Sequence, residues 1–561
     1  MTMVCAQSGP AKGGGVGGVA VRRIVRIVGT WSRSDSSMPD RATATMGALA
    51  LAAAVTLAGC GTTVPRSERE AAQSTGLGAT SASTAATAAT AGGSAASGVQ
   101  TLGATGLAGA AVATDGTPGA GNSPAATSGP AIGATTGSSL SGTASSREIP
   151  PTGRGWDTKH VYIGVTTEQD FEATASSLGY GGIDPGDTSA QATAFADDIN
   201  RHGGLFGRTV VLSFIDVPSI STAENPDPEA QAVCTEFTQD RPVIAVVNIV
   251  TILDGTTLRS CLAQAGVPLF NGSDAAMDNQ AAQSLSPYLY SLVAPSWNLL
   301  APALILSLKA QGYFGGWNSA LGRPDPTKPV KVGVLTDDTS VGGQVSAIIT
   351  KALTAAGYPG AVAFQYAPPG SDIFPAILYF AGHGVTHIIS DDIELSAFQL
   401  DAQTQDYVPR YGITTYNDPY ANLQKVAPAA QNTGDVGIGW APTYDVSASN
   451  DPGPVSSAET SCAALETAAG VQNSDRLADA FGYVVCDGIR LVADAAGSGG
   501  GFSPLDLYRG SVEIGAGFHS AFTFSSGLSA TNLTVPDAGR PLAYVASCSC
   551  FRYGSHTSIG W

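Results

Sequence analysis

The hydrophobic period changes once across residues 192–216. Ala192, Phe195, Ala196 and Ile199 recur at three- and four-residue spacing, the stripe of an amphipathic helix laid on a core. Gly203 and Gly204 stop it, because glycine takes the left-handed conformation at a helix C-terminus without a Cβ clash. Leu205-Phe206-Gly207 then turns the chain into a β-branched run, Thr209 to Ile215, which predicts a buried strand. Another apolar run lies upstream at Val161–Val165. Strand, helix and strand in that order form a β-α-β crossover, the unit of a parallel sheet.

The alternation continues downstream. Val161–Val165, Thr209–Ile215, Ile244–Val250 and Pro268–Phe270 predict strands, separated by helices near 188–200, 228–239 and 255–265. After Tyr290–Val293, a long apolar helix at Asn298–Gln311 opens a second series. Its strands are Lys331–Thr336, Ala361–Gln365, His387–Ser390, Tyr411–Tyr416 and Val436–Trp440, with helices at Gly342–Ala356 and Ile373–Ala381. Past Pro442 helices dominate, at Ala458–Ala468 and at Asp475–Ala496, the latter closed by Gly497. Phe522–Phe524 and Pro541–Val545 predict two late strands. The expected class is α/β with two lobes, each a doubly wound parallel sheet.

The first 150 residues read differently. Met46–Ala58 is an apolar run of signal-peptide length, too short to span a membrane as a helix. It ends in Leu57-Ala58-Gly59-Cys60, which resembles the bacterial lipobox, whose cysteine is lipidated after cleavage before it. Residues 1–59 are therefore expected to be a signal peptide and Cys60 the lipidation site. Arg41 supplies the positive n-region if Met38 is the start; a longer n-region using Arg22, Arg23 and Arg26 is the alternative. Between Glu70 and Arg147 the only charged residue is Asp115, in a stretch rich in Ala, Gly, Ser and Thr. Such a stretch cannot bury enough surface to offset its ordering entropy, so 60–155 is expected to be a flexible linker with a reach of about 50 Å.

Charge excludes one class of partner. The formal net charge is −18; taking away residues 1–59 removes six of 27 basic and two of 45 acidic residues and leaves −22. Nucleic-acid binding rests on neutralising phosphates with Lys and Arg, so no nucleic-acid partner is expected. Setting aside Cys5 and Cys60, six cysteines remain. An even number in an exported chain predicts disulfides, with fifteen possible pairings. Cys234–Cys261 is the pairing expected first, because each lies on a helical segment flanking the strand that begins at Val243. Cys462–Cys486 comes next, and Cys548–Cys550 is left by elimination.

The crossover carries a resemblance. Asp198-Ile199-Asn200, Gly203-Gly204, an apolar pair, Gly207-Arg208, a strand and Asp216 resemble the N-terminal signature of the type 1 periplasmic binding proteins. Within that fold the chain resembles the Leu/Ile/Val-binding, or extracellular ligand-binding receptor, family over about residues 158–545. The resemblance implies two lobes joined by crossover hinge strands: 156–294 as the first part of lobe one, 295–440 as lobe two, and 441–545 as the return to lobe one and the hinge. The run AFGYVVCDGIRLVADAA looks like the family's return helix; the tail 546–561 has no assignment. The implied activity is binding without catalysis. A lipid-anchored monomer on the outer face of the cytoplasmic membrane would capture a small polar solute, an amino acid or related amide or carboxylate, and present it to the membrane subunits of an ABC transporter. A ligand-sensing receptor component and a structural envelope lipoprotein are the alternatives.

Ligands of open α/β sheets bind outside the C-terminal ends of the strands. The candidate ligand-binding residues are therefore Thr166, Thr167 and Glu168; Asn248 and Thr251; Asn271, Gly272 and Ser273; Asp338 and Ser340; Asp391 and Asp392; and Tyr416. The resemblance implies that first-lobe hydroxyls such as Ser273 hold a ligand carboxylate, and that Asp391 or Asp392 with Tyr416 holds the ammonium and side chain. The chain departs from the amino-acid binders at Asn248-Ile249-Val250-Thr251, where they carry a small Ser-Gly turn, and at Tyr416-Asn417, where they place an acid. Helix capping is the competing role for the polar positions.

Enzyme signatures are missing: the sequence has no G-x-S-x-G elbow and no P-loop, and no G-x-G-x-x-G opens a helix after a strand. His383 and His387 have metal-like spacing without the glutamate of H-E-x-x-H, and read as a helix end and a strand start. No cofactor or metal is expected.

Overall fold

A computed structural model describes residues 148–561, apart from 178–182, 220–221, 223–224, 251–252, 254, 274–276, 278, 368–372 and 555. The expected leader, Cys60 and nearly all of the linker lie outside the described residues.

Five parallel strands form the first sheet: β1 (His160–Gln169), β2 (Thr209–Pro218), β3 (Ala245–Asn248), β4 (Leu269–Asn271) and β5 (Leu289–Ser291), in the order β2-β1-β3-β4-β5. After a short hairpin of β6 (Trp317–Asn318) and β7 (Arg323–Pro324), the second sheet takes β8 (Val332–Asp337), β9 (Val362–Tyr366), β10 (His387–Ser390), β11 (Arg410–Thr414) and β12 (Val436–Gly439). Its order is β14-β13-β12-β11-β10-β8-β9, where β13 is Ala538–Val545 and β14 is Cys550–Tyr553; β15 (Ile559–Gly560) pairs β13. The fold is thus the expected α/β class with two sheets, and strands β8 to β12 are parallel. The late edge departs from the all-parallel expectation: β13, β14 and β15 add antiparallel. They include the unassigned tail, which completes the second sheet.

Helices cover both sheets. Those of eight residues or more are α1 (Thr188–Arg201), α2 (Pro226–Thr235), α3 (Thr256–Ala265), α4 (Trp297–Ala310), α5 (Ser340–Ala355), α6 (Ile373–Gly382), α7 (Leu395–Thr404), α8 (Ser457–Ala469), α9 (Arg476–Gly499) and α10 (Pro504–Ile514). Helix α1 buries Ala192, Phe195 and Ala196 and ends at Gly203 and Gly204, both with positive φ. Helix α9 runs past the expected stop at Gly497 to Gly500, whose φ is +72°. Packing explains the extension: a Cβ on Gly510 of α10 would lie 1.9 Å from the Ala495 carbonyl oxygen, and one on Gly499 1.9 Å from that of Asp506. The two helices meet backbone to backbone, and the contact carries α9 one turn further.

The chain crosses between the sheets three times. It leaves β5 for α4, whose Ser307 hydroxyl donates to the Gly437 carbonyl of β12 at 2.8 Å. It leaves β12 for α8 and α9, which pack on α1 of the first lobe. It returns through Thr534, bridged to Ser291 at the end of β5, and enters β13. Phe522–Phe524, expected to be a strand, is an irregular loop before this last crossing. The cysteines pair as Cys234–Cys261, Cys462–Cys486 and Cys548–Cys550. The first two tie α2 to α3 and α8 to α9, across Cα separations of 6.1 and 6.2 Å that suit a disulfide.

Candidate functional site

The first sheet ends in a polar row. Register places Thr166 beside Asn248, Asn248 beside Asn271 and Asn271 beside Ser291. The Thr166 hydroxyl donates to Asn248 Oδ1 at 2.7 Å, and Asn248 Nδ2 donates to Asn271 Oδ1 at 2.8 Å and to the Val250 carbonyl at 3.1 Å. Ile249 N–H donates back to Thr166 Oγ1 at 3.1 Å. Thr167 bonds the Asp216 carboxylate. All four of Thr166, Thr167, Asn248 and Asn271 are buried; Thr166, Asn248 and Asn271 bond one another and Thr167 bonds Asp216, as polar groups taken out of water must find partners. Half-buried Glu168 is pushed up to about 7 by burial, with a hydrogen bond from Ser219 opposing. Ser273 is buried, and Thr251 lies outside the described residues.

The second sheet divides its candidates. Asp338 and Ser340 are exposed at the start of α5. Thr339 caps that helix, its hydroxyl accepting from Gly342 N–H at 3.1 Å, while Asp337 accepts from Thr339 N–H at 3.0 Å. Asp391 is buried, and among the described residues neither carboxylate oxygen has a hydrogen-bond partner. Burial first, then the neighbouring Asp392 and Asp337, hold it well above the usual carboxylate range. Asp392 accepts from Ile393 N–H at 2.6 Å, and burial pushes it up to about 6. The Tyr416 hydroxyl donates to the Pro295 carbonyl at 2.6 Å, and its ring stacks on Trp297 at 5.4 Å and meets Trp440 edge-on at 5.3 Å. Tyr416 therefore packs the hinge, where the first two crossings pass.

Between the two sheet edges lies a small pocket of about 30 Å³. Gly272 and Val293 close it from the first sheet and first crossing; Thr415, Trp440 and Tyr444 from the second sheet and second crossing; Ala480, Phe481 and Val484 from α9; and Phe522 from the late loop. Of the residues expected from sequence and described by the structure, Gly272 alone lines it. A Cβ there would sit 2.6 Å from Val484 Cγ1 and 2.9 Å from the Asn248 carbonyl oxygen, so glycine is what lets α9 form this wall. Sequence reading passed over Phe481 and Val484, although their three-residue spacing puts them on one face of the return helix.

One wall is held from the tail. Thr415 Oγ1 donates to Asp445 at 2.9 Å and accepts from Trp440 N–H at 3.0 Å. Asp445, fully buried and pushed up to about 7 by burial, also accepts from Ala441 N–H at 3.1 Å and from the Tyr553 hydroxyl of β14. Tyr553→Phe removes one donor from a buried acceptor and is expected to cost about 1–2 kcal/mol. Urea unfolding with an unchanged slope would show it; an unaltered midpoint would mean that the tail does not brace this wall.

The periplasmic binding protein family profile matches residues 180–452. That stretch is just under half of the chain. Solved structures of solute-binding proteins superpose on most of the chain. A solute-binding protein of an R. palustris ABC transporter, in complex with 4-hydroxybenzoate, has a TM-score of 0.51 at 14% identity and covers 72% of this chain and 97% of its own. A branched-chain amino acid ABC transporter protein from Thermus thermophilus with bound valine gives 0.50 at 11%, over 72% and 97%. A type 1 periplasmic binding protein from Bordetella pertussis gives 0.50 at 11%, over 71% and 99%. At these identities the shared property is the fold. No curated protein sequence matches. Among the described residues no group of His, Cys, Asp and Glu is arranged to hold a metal ion, and no helix is long and apolar enough to cross a membrane.

Proposed function

We propose that this chain is a periplasmic binding protein that captures a small solute between its two lobes, outside the cytoplasm, and presents it to the membrane subunits of an ABC-type importer. The observation that carries the reading is the pocket where the C-terminal edges of two parallel sheets face each other beside three crossings, which is where open α/β sheets take ligands. Binding here is capture: contacts from the second wall shift the population toward a closed form. A lipid at Cys60 and the linker 60–155 would hold the binding part at the outer face of the membrane, with the protein acting as a monomer. The structural neighbours named above hold different solutes, valine and 4-hydroxybenzoate, so likeness leaves the solute to be read from this pocket.

A thermal-shift screen of the full chain against amino acids, small carboxylates, sugars and small aromatic compounds tests the reading. A ligand at 100 times its Kd adds about 2.7 kcal/mol of stability, and lobe closure shrinks the radius of gyration in small-angle scattering. Silence across the panel in both measurements would overturn capture.

A further inference from the structure

The chemistry of the pocket walls names the solute class, and the inference rests on the capture reading above. Among the described residues no charged side chain lines the pocket; four of the nine that do are aromatic, Trp440, Tyr444, Phe481 and Phe522. Of its two hydroxyl-bearing residues, Thr415 and Tyr444, Thr415 is committed on both sides, to Asp445 and to Trp440 N–H. The acids expected to meet an ammonium, Asp391 and Asp392, do not line it, and Thr166, Asn248 and Asn271 bond one another along the first sheet edge. An amino-acid zwitterion placed here leaves both charges out of water and unpaired, which is prohibitive. A flat apolar ring instead meets ring faces and edges, the arrangement in which aromatic groups gain beyond simple burial.

We infer that the solute is a neutral compound built on an aromatic ring, and that Phe481 selects it. Phe481 is the wall residue suited to that role because it is only half-buried and sits on the helix face that Gly272 allows to approach, whereas Trp440 is fully buried and fastened by its indole N–H to the Val293 carbonyl at 2.6 Å. Selection then works by exclusion of charge as much as by attraction of rings, the sense in which specificity is a difference of affinities.

The test is calorimetric titration of the full chain with indole, p-cresol, leucine and valine. Indole or p-cresol is expected to bind and the two amino acids to give no heat. Phe481→Ala is expected to weaken the ring compound at least about tenfold, as loss of a central aromatic contact does, and the melting temperature of the unliganded variant reads separately what is lost where Phe481 packs on Phe171. Binding of leucine or valine with silence from both ring compounds would overturn the inference and leave capture standing. Silence from all four, together with the wider screen, would sink both. Ring binding that Phe481→Ala leaves unchanged would place the ligand elsewhere and overturn the assignment to this pocket.

Discussion

Lowering the pH from 7 to 5 raises the melting temperature of this protein. Burial pushes Asp392 up to about 6, Asp445 to about 7 and Asp487 to about 6, and does the same to Glu168 and Glu466, each to about 7. Burial also holds Asp391 and Glu394 well above the usual carboxylate range. In the unfolded chain these groups titrate near about 4. Between the two values the native state holds protons that the unfolded state has released, so stability is full below the unfolded value and is lost as pH rises through the folded one. His387 works in the opposite direction: burial lowers it to about 4, and protonation of the unfolded imidazole below about 6.5 favours unfolding. One histidine is outnumbered by the carboxyls. The fully buried Asp445 and Asp487 contribute on the order of 1–2 kcal/mol each across this range, for a rise of roughly 3–5 °C. Differential scanning calorimetry at several pH values measures it, and Asp445→Asn should flatten the slope. A melting temperature that falls on acidification to pH 5 would mean that these carboxyls are ionised and well solvated in the native state.

Asp487→Ala is expected to be the most damaging single substitution considered, costing about 3–5 kcal/mol. Asp487 lies fully buried on α9 and gathers the late loop: it accepts from the Ser520 hydroxyl at 2.5 Å, Ala521 N–H at 2.8 Å and Phe522 N–H at 3.2 Å. Arg490 stands 3.7 Å away on the same helix. Truncation leaves two buried donors, the Ser520 hydroxyl and Ala521 N–H, without this acceptor and a cavity beside them, while Phe522 N–H keeps Ser520 Oγ at 3.0 Å; a donor stranded out of water loses its full solvation. Because Phe522 lines the pocket, the same change should loosen the ligand wall. Urea unfolding reads the first effect and titration with a bound solute the second. Asp487→Asn keeps an acceptor and should lose less. An Ala variant within about 1 kcal/mol of the parent would show that the loop is held by its apolar side chains, since surface-like changes stay in that range.

The pattern of local signals explains which parts of the fold could be read in advance. Helix α1 was legible because an apolar stripe ends in two glycines, and both take positive φ. Helix α10 was missed although it carries its own marks, a Ser503–Asp506 capping box and Pro504 in the first turn; α7, Leu395–Thr404, was passed over between two clear strands. Phe522–Phe524 has a strand's composition, yet three polar bonds to Asp487 outweigh that preference and bend it into a loop. Tyr416 follows a strand as a ligand-contacting residue should, but its hydroxyl finds Pro295, which is 121 positions away in sequence.

Sequence alone determined the alternation of strands and helices, the β-α-β crossover and the division into two lobes, because period, glycine stops and β-branched runs act over a few residues at a time. Tertiary structure decided what the strand ends do. The row Thr166, Asn248 and Asn271 is satisfied internally only because parallel register sets the three side by side. The pocket exists only because Gly272, Trp440, Val484 and Phe522 converge from separate stretches of chain. Buried polar groups must find partners and apolar groups must find one another, and which partners are in reach is settled by packing across the whole molecule.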